Sequence, residues 1–315
     1  MLVVRIEVID IEILKLAPAF KDYLWGGRRL IENYGMNYGG KILAEAWMLS
    51  AHKDGASTIT NGEFAGKSFR EYLAAEGYNA DKFPILIKFI DAQDNLSLQV
   101  HPSDDYAKKF ENQLGKSEFW YILDAAPDAY IYHGLNRVVT KAEFVERVNS
   151  GTLEEILQKV PARKGDCFFI PAGTIHSVGK GILLAEVQQN SNVSYRIYDY
   201  NRRGADGKLR DLHIDKALDV ANLKPFDDDK KNYPHLVTCD YFTVDKINLD
   251  GKIISRLEGT VTKEKFLSVL ILDGRGKIFC GNETLTYAKG DSFFIPANGG
   301  DWAIEGIVDA LITTN

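Results

Sequence analysis

The sequence Gly165-Asp-Cys-Phe-Phe-Ile-Pro171-Ala-Gly-Thr-Ile-His176 decides the predicted fold. Its first eight residues recur, with one substitution, in the later stretch Gly290-Asp-Ser-Phe-Phe-Ile-Pro296-Ala-Asn-Gly-Gly-Asp301. Gly-Asp is typical of a turn, Phe-Phe-Ile of a strand, and the proline of the end of that strand. The repeat therefore predicts two copies of one β module. Because Asp301 stands where the first copy has His176, we expect only the first copy to carry a functional site.

The sequence around the repeat also favours strands. Residues 96–101 alternate strictly between apolar and polar side chains, and many further β-rich segments are separated by Gly, Asp-Gly or Pro. A chain of 315 residues is long enough for two domains. We predict a mainly β protein with a site-bearing first domain over residues 1–225 and a second, degenerate β domain over residues 235–315. The mixed charges and prolines between them indicate a linker.

Helices are few in this prediction. Thr140-Lys-Ala-Glu143 and Thr152-Leu-Glu-Glu155 are both capping-box patterns, in which a threonine and a glutamate three residues apart satisfy the first N–H groups of a helix. Pro161 ends the second pattern. The two patterns predict a small helical insertion at about residues 140–160 within the first domain.

Composition and charge exclude several classes of partner. The chain has 44 acidic and 38 basic residues, for a net charge of −6, and no cluster of basic and aromatic residues, so we expect no nucleic-acid partner. No apolar run reaches the ~18–20 residues of a membrane span, so we expect no membrane partner. Three widely spaced cysteines predict no disulfide framework. The N-terminus has charges among its apolar residues, so it is not expected to be a signal peptide. We therefore expect a cytoplasmic protein.

The first copy of the repeat resembles a known metal-binding motif. Gly165, Pro171, Gly173 and His176 match in full the second motif of the cupins, G-x5-P-x-G-x2-H. The resemblance implies two cupin-type modules, each a jelly-roll (double-stranded β-helix) barrel, with a metal held through histidines and a carboxylate. The other ligands are then expected on an earlier strand.

Gln99 and His101 provide a pair of side chains for such a site. They lie two residues apart on an alternating strand, so both project from the same face. Glu118 begins a later strand and supplies a carboxylate. Nitrogen and oxygen donors without a thiolate suit zinc, iron or manganese. Each residue also has an ordinary structural alternative: the histidines as hydrogen-bonded residues, and Glu118 as the ion-pair partner of Lys116.

A wider resemblance covers residues 18–220 approximately. The segments that carry it, in chain order, are Leu24-Trp-Gly-Gly27, Glu45-Ala-Trp47, Phe83-Pro-Ile-Leu-Ile-Lys-Phe-Ile-Asp-Ala92, Leu96-Ser-Leu-Gln-Val-His-Pro102, Gly115-Lys-Ser-Glu-Phe-Trp-Tyr121 and Ser194-Tyr-Arg-Ile-Tyr-Asp-Tyr200. In these segments and their order, the chain resembles the type I phosphomannose isomerases (mannose-6-phosphate isomerases), in the short form found in bacteria and archaea.

The family resemblance assigns roles to individual residues. It implies one zinc ion per chain, whose ligands are Gln99, His101, Glu118 and His176. It places the active-site arginine at Arg196 and the phosphate-binding residues at Lys88 and Ser97. A cross-strand ion pair is the structural alternative for Arg196, and a lysine at a sheet edge is the alternative for Lys88.

The implied reaction is the reversible isomerisation of mannose 6-phosphate to fructose 6-phosphate through an enediolate. Zinc beside O1 and O2 would stabilise the negative charge of that species, and Arg196 would add to this stabilisation. With an unperturbed pKa of about 12.5–13.8, an arginine is a poor base. The sequence leaves a zinc-bound water, Lys116 and Asp199 open as proton carriers.

Two other functions stay open at this point. An iron-dependent cupin oxygenase would use two histidines and one carboxylate with open positions for oxygen. A non-catalytic sugar-binding cupin would keep the fold without the chemistry. For the leading function, the isomerase, we expect a small-molecule sugar phosphate as the partner and a monomer or homodimer.

Overall fold

The computed structural model describes residues 13–204, 207–226 and 235–315. Most of the predicted linker lies outside these residues. Strands dominate the described chain, and in chain order they are β1 (Leu14–Ala17), β2 (Ala19–Lys21), β3 (Glu45–Leu49), β4 (Thr58–Ile59), β5 (Ile85–Ala92), β6 (Leu98–Val100), β7 (Glu118–Ala125), β8 (Tyr130–Leu135), β9 (Leu157–Pro161), β10 (Cys167–Ile170), β11 (His176–Val178), β12 (Ile182–Gln189), β13 (Tyr195–Tyr198), β14 (Val237–Thr238), β15 (Thr243–Asp250), β16 (Arg256–Val261), β17 (Leu267–Cys280), β18 (Glu283–Ala288), β19 (Ser292–Ile295) and β20 (Gly300–Thr314).

The helices are short and connect strands. They are α1 (Arg29–Glu32), α2 (Phe69–Ala75), α3 (Asp104–Phe110), α4 (Lys141–Ser150) and α5 (Ile214–Val220), with 3₁₀ turns at Ala80–Lys82 and Leu153–Ile156. None of the helices in the described ranges is long and apolar enough to cross a bilayer.

The chain divides into two compact units. The first, here called the metal-site unit, comprises Pro18–Ser57 and Phe69–Val237. The second, the C-terminal unit, comprises Thr238–Asn315 together with Thr58–Ser68 and the strand β1. The C-terminal unit therefore contains two segments from the first 70 residues, which a simple division at residues 225–235 does not include. The reason is strand pairing, because β1 pairs with both β19 and β4.

The metal-site unit contains two antiparallel sheets. One has six strands in the order β10-β7-β12-β5-β3-β2, and the other has five in the order β13-β6-β11-β8-β9. Apolar side chains from both sheets share one core, for example Ile122 and Leu184 from the first and Ile131 and Val178 from the second. Burial of these faces against each other gives the jelly-roll arrangement that the cupin resemblance predicts.

The C-terminal unit is built on one sheet of nine strands. Its main path is β14-β15-β20-β17-β19-β1-β4, with β16 paired to β20 and β18 paired to β17. A separate core of buried residues, including Phe293, Ile304 and Trp302, lies within it. The prediction of a mainly β, cupin-type protein is confirmed.

The predicted helical insertion is only half helical. Helix α4 forms where the first capping box predicts it, and Thr140 Oγ1 accepts a hydrogen bond from Glu143 N at 3.2 Å. The prediction of a second helix was wrong. Thr152 makes no capping hydrogen bond, and one 3₁₀ turn leads directly into β9. Pairing of β9 with β8 satisfies backbone groups that a helix would otherwise have satisfied, so tertiary contact overrides the local pattern.

The backbone conformation at position 173 requires the motif glycine. Its φ is +90°, and an added Cβ would lie 3.0 Å from Val220 O. Gly173 N donates to His101 O at 2.9 Å, so this turn fixes the loop before His176 against the end of β6. In the second copy Asn298 has a φ of 67°, which shows that the same turn is kept there with an asparagine.

Candidate metal centre

Strand register places three of the predicted site residues in one row. Gln99 on β6 pairs directly with His176 on β11 and, on its other side, with Arg196 on β13. Directly paired residues in an antiparallel sheet project to the same face. His101 follows Gln99 by two residues and belongs to that face as well. The five-stranded sheet thus presents an amide, two imidazoles and a guanidinium together.

The carboxylate of the site comes from the opposite sheet. Glu118 is the first residue of β7, and its Oε2 lies 3.3 Å from His101 Nε2, while its Oε1 lies 3.2 Å from His176 Nε2. All three side chains are buried, and their ligating atoms lie within 4.8 Å of one another. Among the described residues, this is the one group of three His, Cys, Asp or Glu side chains that could hold a metal ion.

Backbone carbonyls set the tautomer of both imidazoles. His101 Nδ1 lies 2.9 Å from Val193 O, and His176 Nδ1 lies 2.8 Å from Thr174 O. A carbonyl can only accept, so Nδ1 carries the proton in each ring and Nε2 keeps its lone pair. Burial lowers the pKa of His101 to about 3 and also lowers the pKa of His176. Both imidazoles are therefore neutral near pH 7, the form that binds metals.

The charges around Glu118 keep it ionised. Burial would raise the pKa of Glu118, but the ammonium group of Lys116 outweighs burial and holds the pKa well below its usual range. Its Oε1 and His176 Nε2 have no hydrogen-bond donor, although both atoms are buried. Two acceptors 3.2 Å apart without a donor are costly to bury, and a cation between them would satisfy both. These residues fit a divalent metal ion.

Lys116 lies on the other side of the same carboxylate. Its Nζ donates to Glu118 Oε2 at 2.6 Å and lies 3.1 Å from His101 Nε2. The side chain is almost fully buried. The ion pair that the sequence left open as an alternative role for Glu118 is therefore present, but it uses only one of the two carboxylate oxygens.

Arg196 forms no ion pair with any carboxylate of the described residues. Its Nη1 donates to Asp211 O at 2.8 Å, and its buried Nε has no partner; within the described ranges it forms no ion pair. The nearby Asp199 is instead bound by Arg202 and Arg210, each at 2.5 Å. Burial would raise the pKa of Asp199, but these two arginines lower it, so Asp199 stays ionised and is poorly suited to carry a proton.

Comparison with known proteins identifies the family. Residues 13–134 match the family model described as the phosphomannose isomerase type I catalytic domain, and residues 232–315 match the cupin domain of mannose-6-phosphate isomerase. The chain is 36% identical over 318 residues to the mannose-6-phosphate isomerase ManA of Bacillus subtilis, covering 96% of this chain and 98% of that protein. This chain belongs to the type I phosphomannose isomerase family. The family and enzyme class predicted from the sequence are confirmed.

Other members of the phosphomannose isomerase family match over almost their whole length. The mannose-6-phosphate isomerase of Streptococcus mutans is 34% identical, with 91% of this chain and 93% of that protein aligned. The crystal structure of the mannose 6-phosphate isomerase from B. subtilis superposes with a TM-score of 0.86 at 34% identity, covering 96% of this chain and 99% of that one.

The structure gives Lys88 a different environment from the one expected of a phosphate anchor. Lys88 is almost fully buried on β5, with its Nζ 3.0 Å from Glu186 Oε1 and 3.6 Å from Glu45 Oε2. Burial would lower the pKa of Lys88, but the two carboxylates raise it above its usual value, so its charge is present and already neutralised. Ser97 is buried just before β6, on the same face as Gln99.

Glu186 and Glu45 were missed by the sequence reasoning. Trp120 Nε1 donates to Glu186 Oε2 at 2.9 Å, and the Trp120 ring packs edge-on against His176 with 5.5 Å between centroids. Trp47 Nε1 donates to Glu45 Oε2 at 2.7 Å. These residues form a second charged network beside the metal cluster. The signal was available, because Glu45 begins an otherwise apolar strand and Glu186 directly follows the apolar run at residues 182–185 within β12.

Replacing His176 tests the metal cluster. We expect His176→Ala to weaken metal binding by at least about 100-fold, because the loss of a ligand should exceed the ~10–100-fold effect of losing a second-shell partner. The measurement is zinc bound per chain after dialysis, by mass spectrometry. His133→Gln is the matched control: His133 pairs with His176 across β8 and β11, but its Nε2 faces Phe169 O at 3.0 Å. Wild-type zinc content in His176→Ala would contradict the site.

Proposed function

We propose that this protein interconverts mannose 6-phosphate and fructose 6-phosphate. The observation that carries the proposal is the buried cluster of His101, Glu118 and His176 with unsatisfied acceptors, in the same unit as an unneutralised Arg196. A cation and a guanidinium are the groups that stabilise negative charge developing on sugar oxygens. The activity named for the B. subtilis and S. mutans relatives is consistent with this chemistry.

The proposed cofactor is one zinc ion per chain. His101 Nε2, His176 Nε2 and Glu118 would hold it, with Gln99 from the adjacent strand position as the fourth ligand. Nitrogen and oxygen donors without sulfur are suited to zinc. When bound, zinc would act as a Lewis acid beside the oxygens of C1 and C2. The hydrogen bonds from the two Nδ1 atoms to backbone carbonyls keep the rings oriented for this role.

Arg196 is proposed to stabilise the enediolate. The reaction moves a proton between C2 and C1, and the intermediate carries negative charge on O1 and O2. Register places Arg196 on the face that carries Gln99 and His176, so its guanidinium belongs to the same side of the sheet as the cluster. Its fork of N–H groups is suited to two neighbouring oxygens. The absence of an ion pair among the described residues leaves that fork available for substrate.

Lys116 is the proposed proton-transfer residue. Its Nζ is in contact with Glu118 and His101, so it lies where the reacting carbons would approach the cluster. A buried lysine changes its protonation state more readily than an arginine. Asp199 is the weaker choice, because two arginines hold it in its ionised form.

Two groups of residues are candidates for the phosphate. Lys88 and Ser97 are assigned by the family resemblance, but Glu45 and Glu186 would repel a phosphate at Lys88. Among the described residues, Arg202 and Arg210 both pair with one carboxylate, Asp199, and so keep an excess of positive charge there. We propose that this arginine pair contributes to phosphate binding in addition to the assigned residues.

We further propose that the enzyme acts in the cytoplasm as a monomer or homodimer.

An assay of fructose 6-phosphate formed from mannose 6-phosphate tests the reaction. We expect activity in the purified enzyme, a fall to below about one hundredth after chelation, and recovery with zinc, because a Lewis acid contributes several kcal/mol to the barrier. Full activity in protein shown to be metal-free would remove zinc from the mechanism. No activity in fully metal-loaded protein would overturn the isomerase proposal.

Removing the guanidinium tests the role of Arg196. We expect Arg196→Ala to lower kcat/KM by about 10²–10³-fold, the usual effect of losing one group that stabilises a developing oxyanion. Zinc content should stay at the wild-type level. Arg203→Ala is the control, since Arg203 is exposed and its Nη1 donates to Gly207 O at 2.7 Å. Undiminished activity in Arg196→Ala would contradict this role.

A further inference from the structure

The metal-site unit contains a cavity that the proposed reaction does not use. Its volume is about 410 Å³, which is within the range of small-molecule pockets. None of the predicted metal ligands lines it. Its walls come from the loop after β3, the 3₁₀ turn at Ala80–Lys82, helix α3 with the loop that follows it, and the residue after β12. The lining residues that could contact a ligand are His52, Lys53, Asn79, Lys82, Gln113 and Asn190.

The charges around this cavity favour an anion. Three lysines and one aspartate line it. Lys108 is paired with Asp104 at 2.6 Å, and Asp81 is paired with Arg70 at 2.9 Å, so these two charges are already balanced. Lys53 and Lys82 are exposed, and in the described part of the chain neither forms an ion pair. Two uncompensated ammonium groups at one cavity are suited to a phosphate.

The neutral lining groups add donors to the two lysines. Asn79 Oδ1 accepts from Asp81 N at 2.9 Å, which leaves the Asn79 amide N–H groups available. His52 Nδ1 accepts from Asp54 N at 3.1 Å, so its proton is on Nε2 and points to Gln113 Oε1 at 3.3 Å. The amide N–H groups of Gln113 are available in the same way. Each of these groups can donate to an oxygen-rich ligand.

One buried acceptor in the wall is unsatisfied. Asn190 is 5% exposed, and its Nδ2 donates to Ala80 O at 3.4 Å, which identifies the other terminal atom as the oxygen. That Oδ1 is buried without a hydrogen-bond partner. A fully ionised phosphate only accepts hydrogen bonds and cannot satisfy Asn190 Oδ1. A hydroxyl group on the same ligand could.

We propose that this cavity binds a small phosphorylated compound that also carries hydroxyl groups, a member of the sugar-phosphate class. The phosphate lies against Lys53 and Lys82, and a hydroxyl donates to Asn190 Oδ1. The proposal is independent of the isomerase reaction, because it rests on residues that the mechanism does not use.

The cavity is connected to the metal centre through its walls. Asp104, the partner of Lys108, accepts at Oδ1 from Gln189 Nε2 at 2.7 Å, and Gln189 Oε1 accepts from Ser117 N at 2.8 Å. Ser117 lies between Lys116 and Glu118. The His52 ring packs edge-on against Trp47 with 5.8 Å between centroids. A chain of hydrogen bonds therefore links Asp104, the partner of the lining residue Lys108, to the residue that precedes Glu118.

Calorimetric titration of the zinc-loaded protein with glucose 6-phosphate tests the proposal. We expect the double variant Lys53→Gln/Lys82→Gln to bind glucose 6-phosphate at this cavity at least about tenfold more weakly than the wild type. Both lysines are exposed, so the variant should fold and keep its isomerase activity. Lys263→Gln/Lys265→Gln, two exposed lysines of the C-terminal unit, is the matched control and should bind like the wild type.

Inorganic phosphate is the second probe. It should bind at this cavity at least about tenfold more weakly than glucose 6-phosphate, because it has no sugar hydroxyl to donate to Asn190 Oδ1. Equal stoichiometry and affinity in the wild type and the Lys53/Lys82 variant would overturn the proposed site. Equal binding of inorganic phosphate and glucose 6-phosphate there would overturn the sugar-phosphate assignment.

Discussion

The acceptor atoms of Glu118 and His176 impose the central constraint on this structure. Glu118 Oε1 and His176 Nε2 lie 3.2 Å apart in a buried site with no donor between them. Burial of unpaired polar atoms is expensive, so the surrounding structure must hold them in place, and a bound cation would compensate them. The backbone carbonyls of Thr174 and Val193 orient the two imidazoles, and the packing of Trp120 against His176 excludes water from one side.

The second copy of the repeat keeps the turn but has Asp301 in place of His176. Asn298 repeats the left-handed conformation of Gly173, so the strand-ending turn is preserved. Asp301, however, is exposed, and its Oδ1 accepts a hydrogen bond from Thr260 Oγ1 at 2.7 Å, whereas His176 in the first copy is fully buried. In the C-terminal unit the buried residue at this point is Trp302, which belongs to the apolar core. At this point the second module therefore buries an apolar core residue, whereas the first buries a histidine of the His101, Glu118 and His176 cluster.

Local patterns were sufficient to predict the parts of the site that depend on strand geometry. The period of two in β6 places Gln99 and His101 on one face, and the glycine and proline punctuation around β10 predicts the turn before His176. Patterns were insufficient where distant residues decide the outcome. The second capping box does not form a helix, because the following residues pair as β9 with β8. Likewise, the neutralisation of Lys88 depends on glutamates from two neighbouring strands. Cross-strand neighbours of this kind cannot be identified from a single segment.

The most direct test of the central claim is anomalous diffraction at the zinc edge from crystals of the zinc-loaded protein. The account predicts one peak per chain, about 2.0–2.2 Å from His101 Nε2, His176 Nε2 and a Glu118 oxygen, with Gln99 completing the coordination. It also predicts that Lys116 moves away from His101 Nε2, since the zinc ion and the Lys116 ammonium group cannot share the same lone pair. A crystal of zinc-saturated protein with no peak between these residues, or with its only peak elsewhere, would contradict the account.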